Sequence, residues 1–214
     1  QSVSLLFSGQ FSDQIDNQVA NGGSFANALA GVAVVQNGSA PGTGQWEWFD
    51  GATWNSIGAA SDSAAPIFSA GTAIRFNPAP EYSGAAPTLT VHLIDASASL
   101  AGPNGTTVDI SAPSATGGTT AYSTGTVVLG TEITPVNDAP TIAELDTDTV
   151  IYVEQSPSPL LDDGTDALVG DIDSANFDGG SLTVQITTGL QPGEDAIAIS
   201  TAGVVSVSGL TVSV

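Results

Sequence analysis

The chain has 214 residues, of which 22 are Asp or Glu and one is Lys or Arg, so its formal net charge is −21. Such a charge repels nucleic-acid phosphates and anionic membrane surfaces, and we expect neither as a partner. The absence of cysteine and the presence of a single histidine exclude disulfide bonds, thiol catalysis and metal sites built from cysteine or several histidines. No apolar stretch reaches the length of about 18 residues that spans a bilayer.

Short apolar segments separated by turn residues follow one another through the first 134 residues. We expect a strand at residues 3–7, one or two helical turns at 24–30 ended by Gly31, and a buried strand at 31–36. The Asp50-Gly51 pair between two aromatic, alternating runs predicts a β-hairpin of residues 45–49 and 52–57. Further strands are predicted at residues 73–76, 88–94, 106–110 and 126–133.

A proline-bracketed segment, Pro135-Val136-Asn137-Asp138-Ala139-Pro140, separates this half from the rest. Proline fixes φ and pushes the preceding residue to extended geometry, so we interpret the segment as a stiff connector between two domains, residues 1–136 and 137–214. In the second domain, strands are predicted at residues 149–153, 181–186, 196–200, 204–207 and 210–214. Regular short strands with Gly, Pro and Asn turns favour an all-β fold of two tandem β-sandwiches. Because the strand pattern runs to the last residue, we expect the second domain to be incomplete or to pair its last strand outside this chain.

Acidic residues crowd the second domain, and no Lys or Arg is near them in sequence. They are Glu154, Asp162, Asp163, Asp166, Asp171, Asp173 and Asp178. Clustered carboxylates repel one another unless a cation neutralises them, and Ca²⁺ prefers oxygen ligands whereas Mg²⁺ demands tight octahedral geometry. In an extended segment Asp171 and Asp173 face the same side and can reach one ion. The alternative is a solvated acidic turn.

Four segments of the first domain carry a family resemblance: Gly44-Gln45-Trp46-Glu47-Trp48, Asp50-Gly51-Ala52-Thr53-Trp54, the segment 74–84 and Thr88-Leu89-Thr90-Val91. They resemble the cadherin-like, Ig-like tandem repeats of giant bacterial repeats-in-toxin-type (RTX) surface adhesins. The segment 135–140 is similar to the junction between such repeats, and 169–184 to the acidic signature of the following repeat. Residues 100–118 do not align with the repeat.

The resemblance implies a calcium-binding module with ions clamped at the domain junction. It implies ligand oxygens from Asn137 and Asp138 in the connector, from the Asp171 and Asp173 pair, and from Glu154 near the first strand of the second domain. Asp178, in the same acidic signature, completes the predicted metal ligands. Backbone carbonyls or water would fill the rest of a shell of about 6–8 oxygens. Asp13 and Asp16 could serve the opposite end of the first domain, or form a simple polar turn.

These expectations describe a secreted, cell-surface spacer or presenter in adhesion or biofilm formation, stiffened by Ca²⁺ and linked to neighbouring repeats of the same polypeptide. Two alternatives stay open: a carbohydrate-binding module that stacks tryptophan on sugar rings, and a segment of a self-assembling filament or surface layer. We expect no enzyme, because His92, predicted to be exposed, is the only histidine and no nucleophile-elbow motif is present.

The aromatic and basic side chains of the first domain are given structural roles. Trp46, Trp48 and Trp54 are expected to fill a sandwich core rather than to stack on sugars. Arg75, the only basic residue, is expected in a structural ion pair, and the Tyr82 hydroxyl in a hydrogen bond to nearby backbone.

Overall fold

A computed structural model describes residues 1–14, 17–23, 25–145, 147–162, 167–174, 176–177, 180–197, 206–208 and 211–213. These residues form mostly short strands in antiparallel sheets and very little helix, which confirms the prediction of an all-β sandwich fold. The chain divides into two compact units, Gln1–Pro135 and Val136–Val214, called unit 1 and unit 2 below. No helix in the described ranges is long and apolar enough to cross a membrane.

In the residues of unit 1 that the structure describes, there are one α-helix, one 3-10 helix at Val19–Asn21 and ten strands. They are α1 (Val3–Phe7), β1 (Leu29–Asn37), β2 (Gly44–Phe49), β3 (Trp54–Ser56), β4 (Ala65–Ser69), β5 (Ile74–Pro78), β6 (Gly84–Ala85), β7 (Leu89–Asp95), β8 (Thr107–Val108), β9 (Tyr122–Leu129) and β10 (Glu132–Ile133). A five-stranded sheet has the order β8-β4-β1-β7-β9, a three-stranded sheet the order β3-β2-β5, and β10 pairs with β6.

The main hydrophobic core of unit 1 lies between its two larger sheets. It takes side chains from the five-stranded sheet, from the three-stranded sheet and from α1: Val32, Val34, Phe68, Leu89, Val91, Leu93, Trp46, Ile74, Ile57, Val3 and Phe7. Burial of these side chains from both sheets against one another makes unit 1 a β-sandwich, because each sheet hides one apolar face on the other.

The five-stranded sheet is also covered on its second face. A separate cluster of Ala33, Ala65, Ile67, Ile94 and Ile110 is buried there, with side chains from the long connection between β7 and β9 packed against it. Strands buried on both faces lose the alternation of apolar and polar residues, as β1 and β4 do. The segment 100–118, which matched no repeat motif, therefore supplies part of this outer cover through Ile110, with Leu100 and Ala115 partly buried beside it.

Two local predictions for the N-terminal part are wrong. Residues 3–7 form helix α1, capped by the Ser2 hydroxyl, which accepts the Leu5 N–H at 3.2 Å, and not a strand. No helix forms in the described residues of 24–30; β1 begins at Leu29 instead. Gly31 lies inside β1 because a Cβ there would overlap the Phe68 carbonyl oxygen of β4.

The predicted hairpin forms between β2 and β3, with a longer turn than Asp50-Gly51 alone. Phe49 pairs with Trp54, which leaves a four-residue turn. The Asp50 carboxylate accepts the N–H groups of Ala52 and Thr53, both at 2.8 Å, and these bonds hold the Asp50 pKa far below its usual range. The side chain of Asp50, the first residue of the turn, therefore stabilises the turn.

The described residues of unit 2 form five short strands in two sheets. They are β11 (Thr141–Ala143), β12 (Leu168–Gly170), β13 (Leu182–Thr183), β14 (Ser206–Ser208) and β15 (Thr211–Ser213), with β11 paired to β12 and the others in the order β13-β15-β14. The strand predicted at 149–153 does not form, and the one predicted at 181–186 shortens to two residues. Among the described residues between 136 and 197, no hydrophobic side chain is buried.

Candidate functional site

The acidic turn that follows β12 brings two of the predicted metal ligands together. The Asp171 Oδ1 atom accepts the N–H of Asp173 at 3.1 Å and that of Ser174 at 3.0 Å. The side chains of Asp171 and Asp173 are within hydrogen-bonding reach of each other. This contact is the largest effect that lowers the pKa of Asp171, and the two backbone N–H groups lower it further. Both carboxylates therefore present oxygen atoms at one place.

The start of unit 2 is tied to the same turn. The Asp138 N–H donates to Asp173 Oδ2 at 3.0 Å, and the Asn137 side-chain amide donates to the Asp138 carbonyl at 2.6 Å. The antiparallel pairing of Thr141 with Gly170 lies just beyond, and the Thr141 hydroxyl donates to the Gly170 carbonyl at 3.2 Å. Strand pairing thus positions the Asn137-Asp138 segment beside the acidic turn.

Glu154 and Asp138 do not form a metal-binding group with this pair. Glu154 lies in an exposed turn in which Ser156 N–H bonds to the Val153 carbonyl, and Asp178 lies outside the described residues. Asp138 reaches the turn through its backbone N–H. In the parts of the chain that the structure describes, no three Asp, Glu or His side chains form a group that could hold a metal ion.

The candidate ligand atoms of this turn are of the type that a hard cation such as Ca²⁺ prefers. All the groups are oxygens, and a carboxylate offers about four lone-pair positions, of which the backbone N–H groups use only part. Asp171 and Asp173 would hold Ca²⁺, with the Asn137 side-chain oxygen and water as further ligands. Asp13 binds the Asn27 N–H through its carboxylate, and Asp16 lies outside the described residues.

The tryptophans of unit 1 have structural surroundings. Trp46 is buried, meets Phe76 edge-on at 5.4 Å between ring centroids, and donates its Nε1–H to the Pro87 carbonyl at 2.6 Å. Trp48 packs on Phe68, also at 5.4 Å. The expectation of core packing is confirmed for both, since Trp46 belongs to the main core and Trp48 packs against it.

Trp54 lies on the outer face of the three-stranded sheet. It is half-buried beside Phe49, at 5.2 Å between ring centroids, and the Arg75 guanidinium lies 4.2 Å from its ring centroid. Cation–π stacking of this kind favours a fixed arginine. Trp54 is therefore part of a surface network and not of the main core.

The centre of that network is a buried carboxylate that the sequence did not single out. Glu47 is 5% exposed, and its Oε2 accepts the Arg75 Nε–H and lies 2.8 Å from the second guanidinium nitrogen. Its Oε1 accepts the side-chain amides of Gln45 at 2.8 Å and Asn77 at 3.3 Å. Burial alone would raise the Glu47 pKa, but these hydrogen bonds and the arginine charge together lower it. The predicted structural ion pair of Arg75 is confirmed.

Glu47 could have been found from the strand register. It lies directly opposite Arg75 in the antiparallel β2–β5 pair, and Gln45 lies opposite Asn77. Cross-strand neighbours on one face of a sheet interact. The sequence pattern that indicates this pair is a charged residue between two inward apolar residues. It occurs in the Trp-Glu-Trp triplet of β2 and in the Ile-Arg-Phe triplet of β5.

An open groove of about 700 Å³ adjoins this network at one end of the sandwich. Residues lining it include Asn37, Gly44, Gln45, Ser56, Asn77 and Pro80. Gly44 has φ +118°, and a Cβ there would overlap the Asn77 carbonyl, so glycine allows β2 and the end of β5 to approach closely.

His92 and Tyr82 complete the predicted residues. The prediction that His92 is exposed is wrong: it is buried under the outer cover of the five-stranded sheet, and its Nδ1 lies 2.6 Å from the Ser123 carbonyl. The Tyr82 hydroxyl donates to the Ala85 carbonyl at 2.5 Å, which confirms its predicted bond to nearby backbone.

Comparison of this chain with protein-family models, with curated proteins and with solved structures found no match.

Proposed function

We propose that this chain is a calcium-binding module of two tandem β-rich units from an extracellular surface protein, where it acts as a spacer or presenter in adhesion or biofilm formation. The observation that carries the proposal is the hydrogen bond from the Asp138 N–H to Asp173, with the Asp171 carboxylate beside it. This contact supports the proposal because the backbone of the connector lies beside the acidic pair.

Charge supports a cation at this turn. The only Lys or Arg of the chain is Arg75, so no basic side chain of unit 2 can neutralise Asp171 and Asp173. When both carboxylates are ionised they repel each other, and a divalent ion with oxygen preference relieves that repulsion. Ca²⁺ suits an exposed turn better than Mg²⁺, because it accepts irregular geometry and carboxylate, carbonyl and water ligands together.

Calcium would act on stiffness through the segment 135–140. Its two prolines limit the backbone already, and an ion that joins Asn137-Asp138 to the turn after β12 would remove further freedom. The partners expected for such a spacer are the neighbouring repeats of one long polypeptide.

Calcium titration by isothermal calorimetry after treatment with a chelator tests the proposal. We expect binding with Kd of about 10⁻⁴–10⁻³ M, the range of extracellular Ca²⁺ modules, and weaker binding of Mg²⁺. At ten times Kd, ligand linkage raises the free energy of unfolding of the binding unit by about 1.4 kcal/mol.

The Asp171→Asn/Asp173→Asn double variant should bind Ca²⁺ at least tenfold more weakly. Asp62→Asn/Glu132→Gln is the matched control, because it removes the same charge from exposed positions outside the turn. No heat and no change in melting temperature with Ca²⁺ would contradict the proposal, and so would equal affinity in the two double variants.

A second candidate, self-association into a filament or layer, is favoured by the apolar surface of unit 2. Leu168, Val169 and Ile172 are all exposed in or next to β12, and Ile151 is 85% exposed. Exposed apolar groups of this extent are typical of association surfaces. Light scattering at increasing protein concentration, with and without Ca²⁺, tests it, and a monomer under all conditions would contradict it.

A further inference from the structure

We propose that the groove at the end of the β3-β2-β5 sheet binds a neutral oligosaccharide. The site lies wholly in unit 1 and shares no residue with the acidic turn of unit 2. Its volume of about 700 Å³ falls within the range of about 300–1,000 Å³ in which proteins bind small ligands.

Its hydrogen-bonding groups are amides held in place by Glu47. One amide N–H of Gln45 and one of Asn77 bind the same carboxylate oxygen, and Arg75 fixes the other oxygen. Each amide keeps its carbonyl oxygen and its second N–H for a ligand. Adjacent donors and acceptors of this kind match the vicinal hydroxyl groups of a sugar.

The walls of the groove are rigid. The Asn37 amide donates to the Gly58 carbonyl at 2.7 Å, and the Ser39 hydroxyl donates to the Asn37 side-chain oxygen at 2.6 Å while accepting the Trp46 N–H. The close approach at Gly44 fixes the opposite wall. A preformed site loses little entropy when a ligand binds.

Charge selects a neutral ligand. No Asp, Glu, Lys, Arg or His lines the groove, and the Arg75 charge is balanced by Glu47. The net charge of −21 repels anionic glycans. The rings of Pro41, Pro78 and Pro80 offer C–H surfaces against which the apolar face of a sugar ring can pack.

Affinity gel electrophoresis of the full chain through dextran, mannan or laminarin, together with a neutral-glycan array, tests the site. We expect retardation by at least one of these polysaccharides, equal in Ca²⁺ and in chelator. The Gln45→Ala/Asn77→Ala variant should lose affinity at least tenfold, and Asn17→Ala, an exposed amide outside the groove, should lose none.

Arg75→Ala adds a test of the positioning role. This variant retains the Gln45 and Asn77 side chains but removes the arginine that fixes Glu47, so the two amides lose their fixed position. We therefore expect weaker glycan binding, while circular dichroism shows an intact fold. The proposal is overturned if no neutral glycan retards the folded chain or if the groove variant binds as well as Asn17→Ala. It is equally overturned if a proline-rich peptide binds the groove in place of the glycans.

Discussion

Glu47 shows how one buried charge organises a surface. Its carboxylate is held by an arginine and two amides, and the arginine in turn stacks on Trp54. A buried carboxylate without its partners carries a large desolvation cost. The outer face of the three-stranded sheet is therefore one connected network whose members depend on Glu47.

Removing the guanidinium should expose this dependence. We expect Arg75→Ala to lower the free energy of unfolding by about 1–3 kcal/mol at pH 7, the value of hydrogen bonds to a charged group, because the half-exposed arginine is still partly hydrated. Urea unfolding measures it. Arg75→Lys keeps the positive charge but loses the two-pronged guanidinium donor, so its free energy of unfolding should lie between those of the parent chain and Arg75→Ala.

The pH dependence has a definite sign. The folded chain holds the Glu47 pKa below its ordinary value of 4.5, so the stabilisation is complete above that pH and is lost as the pH falls further. The difference in the free energy of unfolding between the parent chain and Arg75→Ala should therefore shrink as the pH falls below 4.5. A difference that grows on acidification would contradict the assignment.

Glycine is required at position 44 but not at position 42. Gly44→Ala places a Cβ on the Asn77–Pro78 backbone at φ +118°, so we expect it to cost more than about 1 kcal/mol. Gly42→Ala meets nothing within 4 Å and should be nearly neutral. Thermal unfolding of the two variants compares them directly, and equal melting temperatures would refute the role given to Gly44.

Helix α1 illustrates why short segments are hard to predict. In a strand, Val3, Leu5 and Phe7 would share one face; in the helix, Val3 and Phe7 are buried and Leu5 is 69% exposed. A pattern of five residues is too short to distinguish the helical period from the strand period. The Ser2 cap and the packing of Val3 and Phe7 in the core favour the helix. The Asp50-Gly51 hairpin was predictable because its turn chemistry and flanking pattern agree.

This difference in periodicity can be measured. Phe7→Ala should cost about 3–5 kcal/mol, as expected for a buried phenylalanine, whereas Leu5→Ala should change stability by less than about 0.5 kcal/mol. Chemical denaturation of both variants gives the comparison. Similar losses at residues 5 and 7 would favour the strand that the sequence pattern indicated.

The whole chain divides its hydrophobic core unequally. Among the described residues up to 197, every buried apolar side chain belongs to unit 1. The sequence predicted the all-β class, because strand alternation is a local pattern. It did not predict the double-sided burial of β1, the Glu47 partner or the groove, since each depends on which strands become neighbours.

A fragment of residues 1–135 should consequently fold by itself. It retains both core clusters, so we expect its cooperative thermal transition to match that of the full chain within about 2–4 °C, the shift that ~1 kcal/mol causes in a domain of this size. Differential scanning calorimetry of the fragment and the full chain measures it. An unfolded fragment would show that unit 1 needs residues beyond 135.

The position of Arg75 has a practical consequence. Trypsin-like proteases cut after Lys or Arg, and this chain offers them one such bond, between residues 75 and 76 in the middle of β5, where the backbone is hydrogen-bonded to β2. Cleavage requires an extended, unpaired segment in the cleft of the enzyme, so the bond after Arg75 is protected while β5 stays paired with β2. Proteases with trypsin-like specificity should therefore leave the folded chain uncut, whereas the unfolded chain exposes this bond.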